Sequence, residues 1–438
     1  MDDGLGICCV ILFERLDFHM DLKKRQKVAI VGSGISGLVC AYLLHDDHDI
    51  TVFEANDYIG GHTHTIEVPV DGKVYPVDTG FIVFTEPKYP NFVKLLDRLG
   101  VASQPATMSF SVRDSATGLE YNGTSLNTLF AQRRNLLRPS FYKMLKDIVR
   151  FYREAPELLE GNDDALTLGA YLEQNRYSRE FVHHHILPMG AAIWSASLDD
   201  MLDFPAQYFV RFFHHHGFLQ RKDRPAWRTV VGGSYQYVKA LIEPMADRVR
   251  LNSPVKKIMR FAEGVDVTTG AGVERFDQVI LAVHSDQALR MLVDPSEDER
   301  EILRAIKYQE NPTVLHTDDS VLPRNKLAWA SWNYFLPPKS VDRATVTYNM
   351  NMLQNIDAPV TFCTTLNRDE DVHPDKIIRK MMYHHPQFTP GTIRAQKRHG
   401  EINGVNRTFY CGAYWGFGFH EDGVWSGLEV TRKFGKLL

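Results

Sequence analysis

The stretch "KVAIVGSGISGLVCAYLL", residues 27–44, constrains the fold more than any other part of the chain. A β-branched apolar run of buried-strand length hands over, through Gly32, Gly34 and Gly37, to an apolar run with helical spacing. At a strand-to-helix junction these glycines have separate tasks. Gly32 permits the tight turn, Gly34 lets backbone amides approach a pyrophosphate, and Gly37 lets the helix pack near the strand with its N-terminus toward the phosphates. An isolated match of this kind also suits a purely structural turn. Here "DITVFEA" supplies a second strand ending at Glu54, where a carboxylate accepts hydrogen bonds from an adenosine ribose. The expectation is a Rossmann-like dinucleotide site, with Ile35, Ser36 and Ala55 as further contacts. A carboxylate at Glu54 argues against a phosphorylated ribose.

With 438 residues the chain has room for two or three domains. Its 50 basic and 54 acidic residues give a formal net charge of -4, so no whole-chain field recruits nucleic acid. The five cysteines, Cys8, Cys9, Cys40, Cys363 and Cys411, lack metal-ligand spacing and suggest thiols in a reducing compartment, hence a cytoplasmic location. "ICCVILF", residues 7–13, follows two aspartates and is too short to span a bilayer. Met20 opens a charged stretch just before the first strand, so residues 1–20 are expected to be a disordered tail or an upstream extension.

Six residues after Glu54 comes "GGHTHT", with Gly60, Gly61, His62, Thr63 and His64, and a second glycine pair there is foreign to the nicotinamide fingerprint. In this the chain resembles the amine-oxidase-like flavoproteins, the superfamily of monoamine oxidases, phytoene desaturases and protoporphyrinogen oxidases. The resemblance implies noncovalent FAD, with the second glycine pair on the flavin side. It departs at Tyr58 and His62, which stand where the family commonly has arginines. "PVDTGFIVF" matches the next flavin-side segment through Thr79, Gly80 and Phe81; "TVVGGSYQYVKAL" has a glycine pair opening a helix. "VRLNSPVKKI", "GVDVTT" and "FDQVILAV" read as three strands, a parallel sheet interrupted by an antiparallel excursion, and the resemblance puts Val255 beside the adenine. In "FYCGAYWGFGFHEDGVWSGLEVTRKF" it puts Gly412, Tyr414, Gly423 and Val424 at the flavin, with a helix N-terminus favouring charge on the reduced ring. Relatives often carry an acid where this chain has Ala413 and Tyr414.

The expected architecture is therefore α/β with two domains, amine-oxidase-like. A discontinuous Rossmann-like FAD-binding domain takes residues 21–100, 228–300 and 400–438, and a mixed-sheet and helical substrate domain takes 101–227 and 301–399. The insertions are rich in aromatics, from which Trp194, Phe212, Trp332, Tyr334 and Tyr348 are candidates to line an apolar substrate site, the alternative being ordinary core packing. His183–His185 and His214–His216 do not read as metal sites, because adjacent helical residues point about 100 degrees apart. Between Arg133 and Arg153, Phe141, Met144, Leu145, Ile148, Phe151 and Tyr152 share one helical face beside Lys143, Lys146 and Arg150. Such a helix either lies on an anionic bilayer, at the inner face of the membrane, or is buried on one side.

Within the superfamily, "GGHTHT" and "GFHEDG" resemble a bacterial branch associated with cyclopropane-fatty-acid-synthase-like enzymes. That resemblance implies an FAD-dependent desaturase or dehydrogenase of lipid acyl chains, fatty acid or phospholipid, passing hydride to flavin N5. His62 or His64 is the candidate base, or a stand-in for the lost arginine. The alternatives are a flavin amine oxidase and a non-catalytic partner protein with structural FAD. Oligomeric state and electron acceptor stay open.

Overall fold

The computed structural model describes residues 25–161, 165–220, 225–339 and 341–438. The expected tail at residues 1–20, with Cys8 and Cys9, lies outside the described residues. β1 (Lys27–Val31), α1 (Ile35–Leu44) and β2 (Asp49–Phe53) form the opening unit. β1 is the centre of a five-stranded parallel sheet, with β2 and Val249–Arg250 on one side and Gln278–Leu281 and Thr408–Tyr410 on the other. Val28, Ala29 and Ile30 are fully buried, as expected of a strand covered on both faces.

Between Val249–Arg250 and Gln278–Leu281 runs the antiparallel meander Lys257–Phe261, Gly264–Thr269 and Gly272–Phe276. The third of these strands was not anticipated. Its charges, Glu274 and Arg275, obscure the apolar pattern, yet they pair with Arg250 and Asp266 across the sheets. A buried trio fastens the meander to the parallel sheet: Arg260 forks onto Glu299, and Tyr410 Oη donates to Glu299 Oε1 at 2.6 Å.

A seven-stranded mixed sheet forms the second body, in the order 377–386, 308–316, 363–366, 346–349, 332–336, 110–114, 120–122, with only the 332–336/110–114 pair parallel. Helices between residues 139 and 215 share one large apolar core with this sheet. The α/β architecture in two bodies expected from the sequence is present.

Pro139–Glu154 is helical, but the free apolar face expected of a membrane-lying helix is not there. Phe141, Met144 and Phe151 are buried in the core, and Leu145, Ile148 and Tyr152 pack against it. Of the histidine triplets, His184 Nε2 meets Asp114 at 3.0 Å and His185 Nδ1 meets Tyr121 Oη at 3.1 Å, so the rings diverge to separate partners. Among the described residues no helix is long and apolar enough to cross a membrane.

Candidate functional site

The glycines at the end of β1 differ in what surrounds them. A Cβ on Gly32, whose φ is +101°, would stand 2.5 Å from Ala282 O, and one on Gly37 would stand 2.2 Å from Gly32 O. On Gly34 it would meet nothing within 4 Å. Two of the glycines are therefore required by the turn and by helix packing, and the third faces open space at the N-terminus of α1, where a phosphate can come close to backbone amides. Glu54, buried behind this loop, accepts from Ser33 N and Oγ at 3.0 and 2.6 Å and from Asn56 N and Nδ2 at 2.9 Å each. The 250–253 segment lies alongside, with Ser253 N donating to Glu54 O at 2.8 Å, and leads to the buried Val255; Ala55 is exposed at the rim.

The "GGHTHT" segment closes over the loop. Gly60 forms an isolated bridge with Gly34 and donates to Ser33 Oγ at 3.2 Å, while a Cβ on Gly61 would stand 3.2 Å from Gly34 Cα. Gly80 and Phe81 follow closely: Phe81 N donates to His62 O at 2.8 Å, Thr79 N donates to His64 O at 3.0 Å, and a Cβ on Gly80 would collide with His62 O. Asp78 joins three segments, accepting from Thr65 Oγ1 at 2.5 Å, Ser234 N at 2.9 Å and Gln354 Nε2 at 2.9 Å. Burial outweighs these donors and raises Asp78 to about 6.

His62 and His64 project toward the strand Ile377–Pro386. His64 stacks on Tyr58 at 4.1 Å, and its Nδ1 lies 3.1 Å from Tyr383 Oη, which is 2.7 Å from Thr79 Oγ1. His62 packs against the rings of Tyr383, His385 and His284, and its Nε2 is buried without a hydrogen-bond partner among the described residues. Burial lowers both imidazoles to about 4, so both are neutral at pH 7.

Thr63 points the other way, into a network that motif reading did not reveal. Its Oγ1 bonds Tyr237 Oη, which meets His420 Nε2 at 2.6 Å, and the His420 ring stacks on Phe81 at 3.5 Å. Thr63, Tyr237 and His420 are separated by 174 and 183 residues, so no local pattern could have joined them.

The C-terminal helix, His420–Lys433, crosses α1 at its two glycines. A Cβ on Gly423 would meet Ile35 Cγ2 at 2.7 Å, and one on Gly427 would meet Ser36 O at 2.9 Å; Val424 is fully buried between the helices. Ahead of it, Gly412 N donates to Ser426 Oγ at 2.9 Å, and the Tyr414 ring covers Gly412, its hydroxyl buried without a partner among the described residues. Two carboxyls stand in its first turn, both raised by burial toward the neutral form. Asp422 accepts from Phe419 N at 2.9 Å, and Glu421 accepts from Asn91 and Phe92 at the start of the Pro90–Leu99 helix.

Trp194 and Phe212 meet this same region. Phe212 stacks on Phe419 at 4.9 Å and lies 4.8 Å from Trp194; Tyr208 lies 4.6 Å from Phe417. The polar tips are used on the main chain: Tyr208 Oη donates to Gly416 O at 2.7 Å and Trp194 Nε1 to Phe417 O at 3.3 Å. Trp332 and Tyr348 are cross-strand partners with rings 5.1 Å apart, Trp332 Nε1 having no partner among the described residues. Tyr334 is buried in the same core. Neither His62 nor His64 has a ring contact with these aromatics.

An open space at Gly34 and orphaned polar atoms on His62 and Tyr414 fit a bound dinucleotide that passes from the glycine loop toward the C-terminal helix. Residues 35–316, more than half of the chain, match the family described as flavin containing amine oxidoreductase. AofH of Mycobacterium tuberculosis, described as a flavin-containing monoamine oxidase, is 28% identical over 285 residues, 61% of this chain and 59% of that protein. The chain spans about half to three fifths of the length of the curated relatives it matches. Among solved structures, cyclohexylamine oxidase from Brevibacterium oxydans aligns with a TM-score of 0.67 at 16% identity, covering 94% of this chain and 99% of that one. A conjugated-linoleic-acid-producing fatty acid isomerase from P. acnes aligns at 0.65 and 17%, covering 93% and 98%. The chain belongs to the flavin-containing amine oxidoreductase family.

Proposed function

We propose that this enzyme dehydrogenates a hydrophobic substrate carrying an acyl chain. The observation that carries the proposal is the aromatic wall of Trp194, Tyr208, Phe212, Phe417 and Phe419 leading into the C-terminal helix. Because the Tyr208 and Trp194 tips are spent on main-chain carbonyls, what these rings present is apolar. The carboxyl beside these rings, Asp422, is held by the Phe419 amide, and Glu421 is held by those of Asn91 and Phe92.

The residues proposed to hold FAD are the glycine loop with Ile35 and Ser36, Glu54 and Ala55 at the ribose, Val255 at the adenine, and Gly60–Thr63, Thr79–Phe81, Gly412, Tyr414, Gly423 and Val424 toward the flavin. When bound, the isoalloxazine supplies the hydride acceptor. Trp194 and Phe212 would grip the substrate and exclude water; Trp332 and Tyr348 are proposed farther along the same apolar body, and Tyr334 behind them. The contacts of His62 favour a cofactor role. His64, neutral and bonded to Tyr383, remains the candidate base.

The amine reading rests on the relatives, since AofH and cyclohexylamine oxidase carry amine chemistry in their names. Anaerobic titration of the yellow protein separates the readings. Bleaching by phospholipid or fatty acyl chains and not by an amine panel is expected; bleaching by amines alone would overturn the acyl proposal, and bleaching by neither would favour a flavin-binding partner protein.

We also propose peripheral contact with an anionic bilayer, through a surface other than the apolar face of the 139–154 helix. Leu126 and Leu137 are 77% and 88% exposed, with Leu136 and Tyr142 nearly half exposed. Arg133, Arg134, Lys143 and Lys146 surround them in sequence and are exposed. Exposed leucines ringed by cations suit an anionic lipid surface, and the side that faces it would be the cytoplasmic one.

A further inference from the structure

Four imidazoles gather beside the glycine loop, drawn from three distant parts of the chain. The His62 ring lies 6.3 Å from His284 and 5.5 Å from His385, and the His284 ring lies 5.9 Å from His384. Two of them are carried on segments that pack against the glycine loop. His62 follows the Gly60–Gly61 pair that backs onto Gly34, and His284 follows Ala282, whose carbonyl closes over Gly32. Gly34, Gly61, His62 and His284 keep partial exposure, as do Gly32, Ala282 and Val283 at the same end of the sheet.

The cluster is built without fixed charge at its centre. Burial, followed by the neighbouring histidines, lowers His62 to about 4 and His284 and His385 to about 3. Tyr383 faces His62 as a neutral group, with His64 bonded to Tyr383 and Tyr58 stacked on His64 behind it. Asp57 and Arg379 act on His64 from the rim, and His420 faces His62 from the C-terminal helix. Around His284 stand Tyr308, stacked at 4.3 Å, and the Asp286–Arg290 pair; Glu310 lies 3.6 Å from His384. Asn311 Nδ2 lies 2.9 Å from His385 Nδ1, a contact that suits a neutral ring. Arg290 is paired with Asp286, and the exposed Arg379 acts on His64, Tyr58 and Tyr383.

A diphosphate carries the charge that such a group lacks. We propose that the histidine cluster, led by His62 and His284, is the counter-charge for the diphosphate of FAD in place of an arginine, and that cofactor binding carries a proton into the protein. This rests on the FAD reading of the family and adds how this chain meets the anion. An arginine is cationic whether or not phosphate is present. Clustered imidazoles stay neutral together and gain charge when an anion arrives, and their mutual repulsion limits the uptake to about one proton. The atoms balance simply: one proton leaves water for an imidazole nitrogen as FAD enters, and returns when FAD leaves.

The test uses the flavin-loaded protein. Diluted into weakly buffered solutions from about pH 6 to about pH 9, it releases FAD that is read by fluorescence, while an indicator dye reads the proton that accompanies it. Proton linkage predicts that Kd weakens by up to about tenfold per pH unit across the range where the complex holds the proton and the free protein does not, with about one proton released per FAD, and levels off above it. His62→Arg should keep FAD bound and flatten this dependence, because the charge is then permanent. His284→Gln should weaken FAD most at low pH and shrink the proton signal, and provides the test if the arginine variant fails to fold. A Kd that is flat with pH and no proton release overturns the proposal while leaving FAD binding intact. Failure to bind FAD at any pH overturns the cofactor reading and this proposal with it.

Discussion

Gly427 is pressed against Ser36: a Cβ at Gly427 would stand 2.9 Å from the Ser36 carbonyl oxygen and 3.4 Å from the Val39 side chain. This contact brings the last helix of the chain onto the first. Gly427→Val must push the helices apart, and overpacking of this kind costs about 1–3 kcal/mol. Because Gly423 and Val424 sit on the same helix, the variant should also hold FAD more weakly. Urea unfolding and flavin retention on gel filtration check the two effects.

Asp422 gives a pH dependence with a definite sign. Burial raises its carboxyl to about 7, from 3.8 in an unconstrained chain. Between those values the folded protein keeps a proton that the unfolded chain has released, so stability present at low pH is lost as pH rises through the folded value. From pH 5 to pH 8 the native protein should therefore lose about 1–3 kcal/mol relative to Asp422→Asn. Paired unfolding curves at the two pH values measure the change; a constant difference between the proteins excludes it.

Glu299→Gln should be among the most damaging isosteric changes. Arg260 and Glu299 are both buried, and the guanidinium, still charged, keeps only the part-exposed Asp294 as a carboxylate partner. Breaking a buried pair by removing one member costs about 3–5 kcal/mol. Loss of most folded protein at 37 °C, or a large fall in the unfolding midpoint, is the expected result.

The bilayer surface predicts selective binding. Protein should sediment with vesicles containing anionic lipid at low salt and be released as salt rises, since screening weakens each cation's contribution. Leu137→Asp, at a position 88% exposed, should abolish sedimentation without lowering stability by more than about 0.5 kcal/mol. Binding that is indifferent to Leu137→Asp would assign the contact elsewhere.

Local patterns were legible wherever the physics was local. β1, α1 and β2 lie where the apolar runs and glycines of residues 27–53 put them. Helical periodicity in 139–154 was also right, but the same face suits a bilayer or a protein core, and only the packing of Phe141, Met144 and Phe151 shows that the core took it. The strand Gly272–Phe276 escaped notice because its charged residues are satisfied by partners on other strands. Glu54 was read as a ribose ligand, while its bonds to Ser33 and Asn56 appear only once the loop is folded.

What the chain's order of residues determined by itself is the strand–glycine–helix opening, because a glycine turn between a buried strand and a helix depends on spacing over a few residues; the flavoprotein family followed from the resemblance of "GGHTHT" and the C-terminal segment. Only the tertiary structure decided that His62 would meet His284 and His385, or that Thr63 would reach His420 through Tyr237. Those side chains lie hundreds of residues apart, and their neutral, buried state comes from neighbours and desolvation that no stretch of sequence contains.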